Sequence, residues 1–140
     1  MMKRTLIVIV TFYASVGLSQ TKEKNENSID SVESNCLEKK DISNAEICNC
    51  IRQTRESWDI ELNKYYALLR TNLPKEAFEI LNESQKRWIN YQDKEFQFIS
   101  TFYHNVQEGT MWYSVAENKK MEIVKQRAVE LEEYFKSLDF

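Results

Sequence analysis

The stretch ESQKRWINYQDKEFQFI, residues 83–99, decides how this chain folds. At about 100° per residue, Phe78, Leu81, Trp88, Ile89, Phe96, Ile99 and Tyr103 gather on one face of a helix, the pattern of an amphipathic segment laid on a core. Gln85 and Gln92 fall near the middle of that same face. A buried amide without a partner costs roughly 2 kcal/mol or more, so the helix needs neighbours that offer polar groups at matching heights.

Working outward, Pro74 biases the residue before it away from helix and suits the first turn of a helix that follows. The helix around residues 83–99 is therefore predicted from Pro74 to about Tyr103. Upstream, SNAE (43–46) has the spacing of a capping box, with Ser43 as N-cap and Glu46 three residues on. From there Ile47, Ile51, Trp58, Leu62, Tyr65 or Tyr66 and Leu69 form an inward stripe that ends near Thr71 or Asn72. Downstream, HNVQEGT (104–110) is a break in which Gly109 alone is free of the usual limits on backbone angle. A third helix over about Met111 to Ser137 turns Tyr113, Ala116, Val124, Ala128, Leu131, Phe135 and Leu138 inward.

Beyond Cys36 the sequence has one proline and one glycine, and little alternation of β-branched with polar residues, which leaves a sheet few means of turning. The expected fold is all-α: an up-down-up bundle of three long helices, with a short N-terminal helix or segment tied down by a disulfide.

Three regions follow. Residues 1–20, MMKRTLIVIVTFYASVGLSQ, have a basic start, about a dozen apolar residues and small residues at the end, as a secretory signal peptide does. The apolar run is short of the ~20 residues that span a bilayer, so no membrane association is expected once it is cleaved. Residues 21–35 are polar and read as a disordered leader, and residues 36–140 as the helical domain. The product is expected to be secreted or periplasmic.

Without residues 1–20 the chain holds 17 basic and 22 acidic residues, a charge of about −5. With no basic cluster interleaved with aromatics, nucleic acid is not an expected partner, and a basic protein fits better. Export places Cys36, Cys48 and Cys50 in an oxidising environment. Cys36 paired with Cys50 or with Cys48 closes a loop of roughly a dozen residues, which stabilises by ~3 kcal/mol in the chain-entropy view. A metal at Cys48-x-Cys50 lacks further ligands, the single histidine being His104, so neither metal nor cofactor is expected.

Each predicted helix carries polar residues in or beside its stripe: Arg55 and Asp59, then Gln85 and Gln92 with Asp93 at the edge, then Arg127. The simplest arrangement pairs Arg127 with Asp59 or Asp93, with the glutamine amides beside it, as a network that fixes register. A cleft lined by the same residues is the alternative. Neighbouring acids such as Glu132 with Glu133, or Asp93 with Glu95, point different ways on a helix, and no phosphate loop or nucleophile elbow is present. The chain is not expected to be an enzyme. Trp58 and Trp88 read as core anchors. Trp112 and Tyr113, beside the loop holding His104, Glu108 and Gly109, read as a helix-entry staple or as part of a partner-contact loop.

DIELNKYY (59–66), LNESQKRWINYQDKEF (81–96) and MEIVKQRAVELEEY (121–134) together resemble the lysozyme inhibitor LprI-like N-terminal domain, a family of secreted bacterial proteins. The family's pattern falls on Cys36, Cys50, Asp59, Leu62, Asn63, Tyr66, Gln85, Trp88, Asp93, Gly109, Gln126, Arg127 and Leu131. The likeness departs at Gln92, where the family has arginine, and at Phe96, where it has cysteine. The cysteine that would bridge to that position falls near Lys119, so both halves of one bridge are missing together. The resemblance favours Cys36 with Cys50, with Cys48 as an extra thiol that keeps the alternative open. It also implies a structural polar set of Asp59, Asn63, Gln85, Trp88, Gln92, Asp93, Gln126 and Arg127. As to function, it implies inhibition of lysozyme, or another protein interaction in the envelope, by an acidic partner of a basic enzyme. A module binding a small ligand or cell-wall fragment in the polar seam, and a purely structural domain, are the competing expectations.

Overall fold

The computed structural model describes residues 28–138. The chain forms α1 (Ser28–Leu37), α2 (Asn44–Asn72), α3 (Lys75–Thr101), a π-helical turn (Phe102–Val106) and α4 (Met111–Lys136), with no strand among the described residues. The expected signal segment lies outside the described residues. No helix among those described is long and apolar enough to cross a membrane.

The long helices start and stop for local reasons. At the head of α2 the Glu46 N–H donates to Ser43 Oγ at 3.3 Å, and the Ser43 N–H donates back to Glu46 Oε2 at 2.9 Å. The Ser43 hydroxyl also donates to Glu46 Oε2 at 2.6 Å, and that bond first, with the one from the Ser43 N–H, holds the Glu46 carboxyl below its ordinary value. At the tail, the Leu73 N–H closes on the Leu69 carbonyl, and Pro74 takes the N-cap position of α3. Between α3 and α4 the chain turns through Gly109 at φ +100°, with nothing within 4 Å of where a Cβ would stand. Backbone angle, and not crowding, calls for glycine there.

The core lies chiefly between α2 and α4. Ile51, Trp58, Leu62 and Leu69 pack against Met121, Val124, Ala128 and Leu131. Small Ala116 and Ala128 are fully buried on α4 and leave room for α2 to lie close. From α3, Leu81, Trp88 and Phe96 reach the core from its edge and stay partly exposed. The backbones of α2 and α3 stand further apart and meet through long side chains: Tyr66 bonds Asn82 at 3.0 Å, its ring faces Phe78 at 5.6 Å, and the Arg55 guanidinium lies 5.5 Å over Phe96.

Four features depart from the sequence reading. Residues 28–35, expected in a disordered leader, are helical: Ile29 packs on the core and Asp30 accepts from Lys125 Nζ at 2.8 Å. The polar composition of that stretch hides a short helix that is held by tertiary contacts rather than by its own propensity. Ile89 and Tyr113, placed on inward stripes, are 45% and 43% exposed, because each lies at the margin of its stripe. Lys120 and Met121, which the stripe on α4 omits, are buried. The second long helix ends at Thr101 and continues as the π-helical turn, where the longer spacing of hydrogen bonds shifts the register of Phe102–Val106.

The N-terminal tie is a disulfide between Cys36 and Cys50, with Cα atoms 5.9 Å apart, which pins the end of α1 to the second turn of α2. Cys48 is a free, buried thiol.

Candidate functional site

The polar groups in the seam separate into two closed networks and an open cleft. In the first network Arg127 on α4 is buried at 7% exposure, and its Nε donates to the amide oxygen of Gln85, itself 8% exposed, at 2.9 Å. Its Nη1 donates to Glu130 Oε2 at 2.6 Å and its Nη2 to Ser84 Oγ at 3.5 Å. Gln85 faces Arg127 because it sits mid-stripe on α3, and Glu130 reaches it because it lies one turn on along α4. The expected partnership of Arg127 with Asp59 or Asp93 is not made. Both acids are exposed, and Asp59 instead accepts from the Asn63 amide at 3.1 Å, one turn along α2.

The second network was half visible in the sequence. Arg55 Nη1 donates to Glu117 Oε2 at 3.1 Å, and Lys120 Nζ donates to the other oxygen of Glu117 at 3.1 Å. Arg55 is the seam residue the stripe identifies; Glu117 and Lys120 are the partners it misses. Their i, i+3 spacing, like that of Arg127 and Glu130, is the readable signal. Near it, burial first and then the negative Glu117 push the Cys48 thiol above its usual range, which makes it a poor nucleophile.

Trp88 is half-buried at the edge of the core, as an anchor, and Gln126 is exposed on α4. Gln126 lines a groove of about 410 Å³ between α3 and α4, together with Tyr91, Phe98 and Phe102. Gln92 is half-buried and lines a different cleft, of about 380 Å³, with Arg55, Glu56, Asp59, Ile60 and Val124. Asp93 stands beside it on α3.

At the end of the bundle, the loop residues are organised by stacking. Trp112 is half-buried and stacks on Tyr103, with ring centres 5.7 Å apart, and His104 meets Tyr113 edge-on at 4.6 Å. The Asn44 amide donates to the Thr110 carbonyl and fastens the loop to α2. Trp112 is thus a staple. The loop leaves Glu108 and Gly109 to solvent, with exposed Val106 and Met111 on either side, and His104, Asn105 and Thr110 are exposed as well. His104, Tyr113 and Cys48 also line a cavity of about 500 Å³ at this end.

Among the described residues no group of three or more His, Cys, Asp or Glu side chains is placed to hold a metal ion. The strongest perturbation of an ionisable group is at Tyr65. Its hydroxyl donates to Glu132 at 2.7 Å, and that bond, with burial second, pushes its pKa up to about 12. Burial alone would raise the Glu132 carboxyl, but hydrogen bonds from Lys136 and Tyr65 hold it below its ordinary value. These contacts fix side chains on α2 and α4, away from the clefts.

Comparison with known proteins gives a family and a related structure. The family model described as lysozyme inhibitor LprI matches residues 36–131, from the disulfide cysteine of α1 to the last core leucine of α4. The crystal structure of an uncharacterized protein from Burkholderia thailandensis superimposes with a TM-score of 0.73 at 26% identity. The likeness covers 79% of this chain and 54% of that one, so this chain spans about half the length of that relative. No curated protein matches the sequence.

Proposed function

Because the chain belongs to the lysozyme inhibitor LprI family, we propose that it is a secreted, non-enzymatic helical protein that binds a lysozyme and lowers its lytic rate. The observation that carries this reading is the extent of the family match, which takes in the disulfide, the α2–α4 core and the Arg127–Gln85 seam as one unit. The disulfide supports an oxidising compartment, where such an encounter takes place. A charge of about −5 after loss of residues 1–20 suits a basic enzyme, speeding encounter and favouring correct orientation.

An inhibitor of a glycosidase has to deny substrate access to the cleft that holds the two catalytic carboxyl groups. A firm surface does this at less entropic cost than a loose one. The stapled bundle end, with Val106, Glu108 and Met111 outward, is one such surface. The competing reading, a small-ligand site in the polar seam, has less support because Gln85 and Arg127 close on each other. The experiment is isothermal calorimetry of residues 21–140, disulfide intact, against a basic animal lysozyme. A saturable complex near one to one is expected, and no heat of binding at concentrations up to about 100 μM would reject the reading.

A further inference from the structure

The groove between α3 and α4 is walled on one side by aromatic rings. Tyr91, Phe98 and Phe102 recur at helical spacing along α3 and its π-helical continuation, so they share one flank. Tyr91 and Phe98 are 53% and 60% exposed, and Phe102 is half-buried with its ring 6.0 Å from that of Phe98. Buried Ile99 closes the floor. The wider hydrogen-bond spacing of the π-helical turn sets successive side chains at a smaller angle, and Tyr103 lines the groove next to Phe102, their rings edge to face at 5.1 Å. Tyr103 is held in turn by its stack on Trp112.

Polar groups complete the lining. Lys119, Glu122 and Gln126 recur along one flank of α4 and are exposed, and Glu95 is half-buried on α3. Among the described residues none of these four makes a side-chain hydrogen bond or ion pair, and neither do the hydroxyls of Tyr91 and Tyr103. The seam groups Arg127 and Gln85 close on each other, whereas here donors and acceptors stay available beside aromatic faces.

This combination selects a class of ligand. A purely apolar occupant would bury Glu95, Gln126 and the tyrosine hydroxyls without partners, at a cost. A strongly charged one finds little to balance it, since Glu95 and Glu122 stand against Lys119. A neutral ligand with flat C–H faces and a rim of hydroxyls meets both demands: the faces lie on the rings, and the hydroxyls donate to carboxylate and amide oxygens and accept from Lys119 and the Gln126 amide. A pyranose sugar is such a ligand. Equatorial 1,4 linkages keep successive rings extended, as a groove running along two helices requires. The volume of about 410 Å³ falls within the ~300–1,000 Å³ of small-molecule sites.

We propose that the α3–α4 groove binds a neutral oligosaccharide of β-1,4-linked pyranoses, laid on Tyr91, Phe98 and Phe102 and hydrogen-bonded by Glu95, Glu122, Lys119 and Gln126. The groove shares no lining residue with the cleft at Gln92, and the proposal does not rest on lysozyme binding.

The test titrates residues 21–140, disulfide intact, with tetra-N-acetylchitotetraose and separately with cellotetraose, by calorimetry and by amide chemical shifts. The first sugar carries acetamido groups and the second only hydroxyls, so the pair separates two sources of the same ring chemistry. Saturable binding of at least one of them, millimolar or tighter, is expected, with shifts centred on residues 91–103 and 119–126. Phe98→Ala removes an exposed ring outside the core and should weaken that binding about tenfold. Gln126→Ala should weaken it about fivefold. Ile60→Ala, exposed on α2, should leave it unchanged. Melting temperature and circular dichroism verify that each variant is folded. No binding of either sugar at ~5 mM, shifts that map elsewhere, or an affinity that Phe98→Ala or Gln126→Ala leaves unaltered would overturn the proposal. None of these outcomes touches the lysozyme reading, which is tested without sugar.

Discussion

Arg127 on α4 and Gln85 on α3 are joined by a 2.9 Å hydrogen bond in a seam where both side chains are buried, and Glu130 neutralises the guanidinium from one turn along its own helix. With the Tyr66–Asn82 bond, it is a polar contact that holds α3 against the α2–α4 pair. The groups depend on each other, since a lone buried guanidinium or amide loses its solvation with nothing in return. Gln85→Leu is therefore expected to destabilise the fold by ~2 kcal/mol. Arg127→Met combined with Gln85→Leu should cost less than the two single changes added, by ~1 kcal/mol or more. Urea unfolding of the four proteins gives the coupling, and strict additivity would contradict it.

The disulfide and the free thiol should behave oppositely. Cys36 and Cys50 close a segment with a separation of 14 residues, so replacing both by serine is expected to cost ~3 kcal/mol and to loosen α1 first. Cys48→Ala should cost under ~1 kcal/mol. In the native protein Cys48 should resist alkylation, being buried with its thiol pushed up, and should react on unfolding. Peptide mapping without reduction checks the pairing, and a Cys36–Cys48 peptide would contradict it.

Tyr65 supplies a pH signature. Its hydroxyl, bonded to Glu132 and partly buried, ionises at about 12 in the fold, against an ordinary value near 10 in the unfolded chain. A raised folded pKa gives stability that is complete below about pH 10 and is lost as pH rises toward 12. Tyr65→Phe is expected to cost ~1.5 kcal/mol at pH 7, and the gap to wild type to shrink above pH 10. Ultraviolet titration should show one late tyrosine that this variant lacks.

Glu33 on α1 works in the other direction at neutral pH. Burial first, then the neighbouring Asp30, push its carboxyl up, with Lys125 opposing and Glu122 adding to the rise. Its protonated form suits the fold, so the stability it contributes is present at low pH and lost as pH rises through the folded value. Glu33→Gln should raise stability at pH 7 by ~0.5 kcal/mol and make no difference near pH 3. Melting curves at the two pH values check the sign.

The long helices were legible because their signals are local and redundant. Ser43 and Glu46 cap α2 as their spacing requires, Pro74 and Gly109 fall at the breaks, and Trp58, Leu62 and Leu131 recur at core spacing. α1 was legible only as a short segment tied down by a disulfide; its helix over residues 28–35 was not, because it depends on Ile29, Asp30 and Cys36 meeting residues far along the chain. In the seam, the sequence identified Arg127 and Gln85 as inward but not which acid would answer. Asp59 and Asp93 have the right charge and the family's spacing, yet they face solvent, while Glu130 has only its position one turn from Arg127. Periodicity assigns a residue to a face; it does not say how far apart two helices stand. The wide spacing of α2 and α3, which turns a sequence-level polar seam into an open cleft, could be read only from the assembled bundle.

Inhibition is tested most directly by the lytic rate of a basic animal lysozyme on a bacterial cell-wall suspension, followed by turbidity, as residues 21–140 with the disulfide intact are titrated in. The rate is expected to fall in proportion to added protein and to approach zero near equimolar amounts at concentrations above the dissociation constant. A lytic rate unchanged at a tenfold molar excess would contradict it.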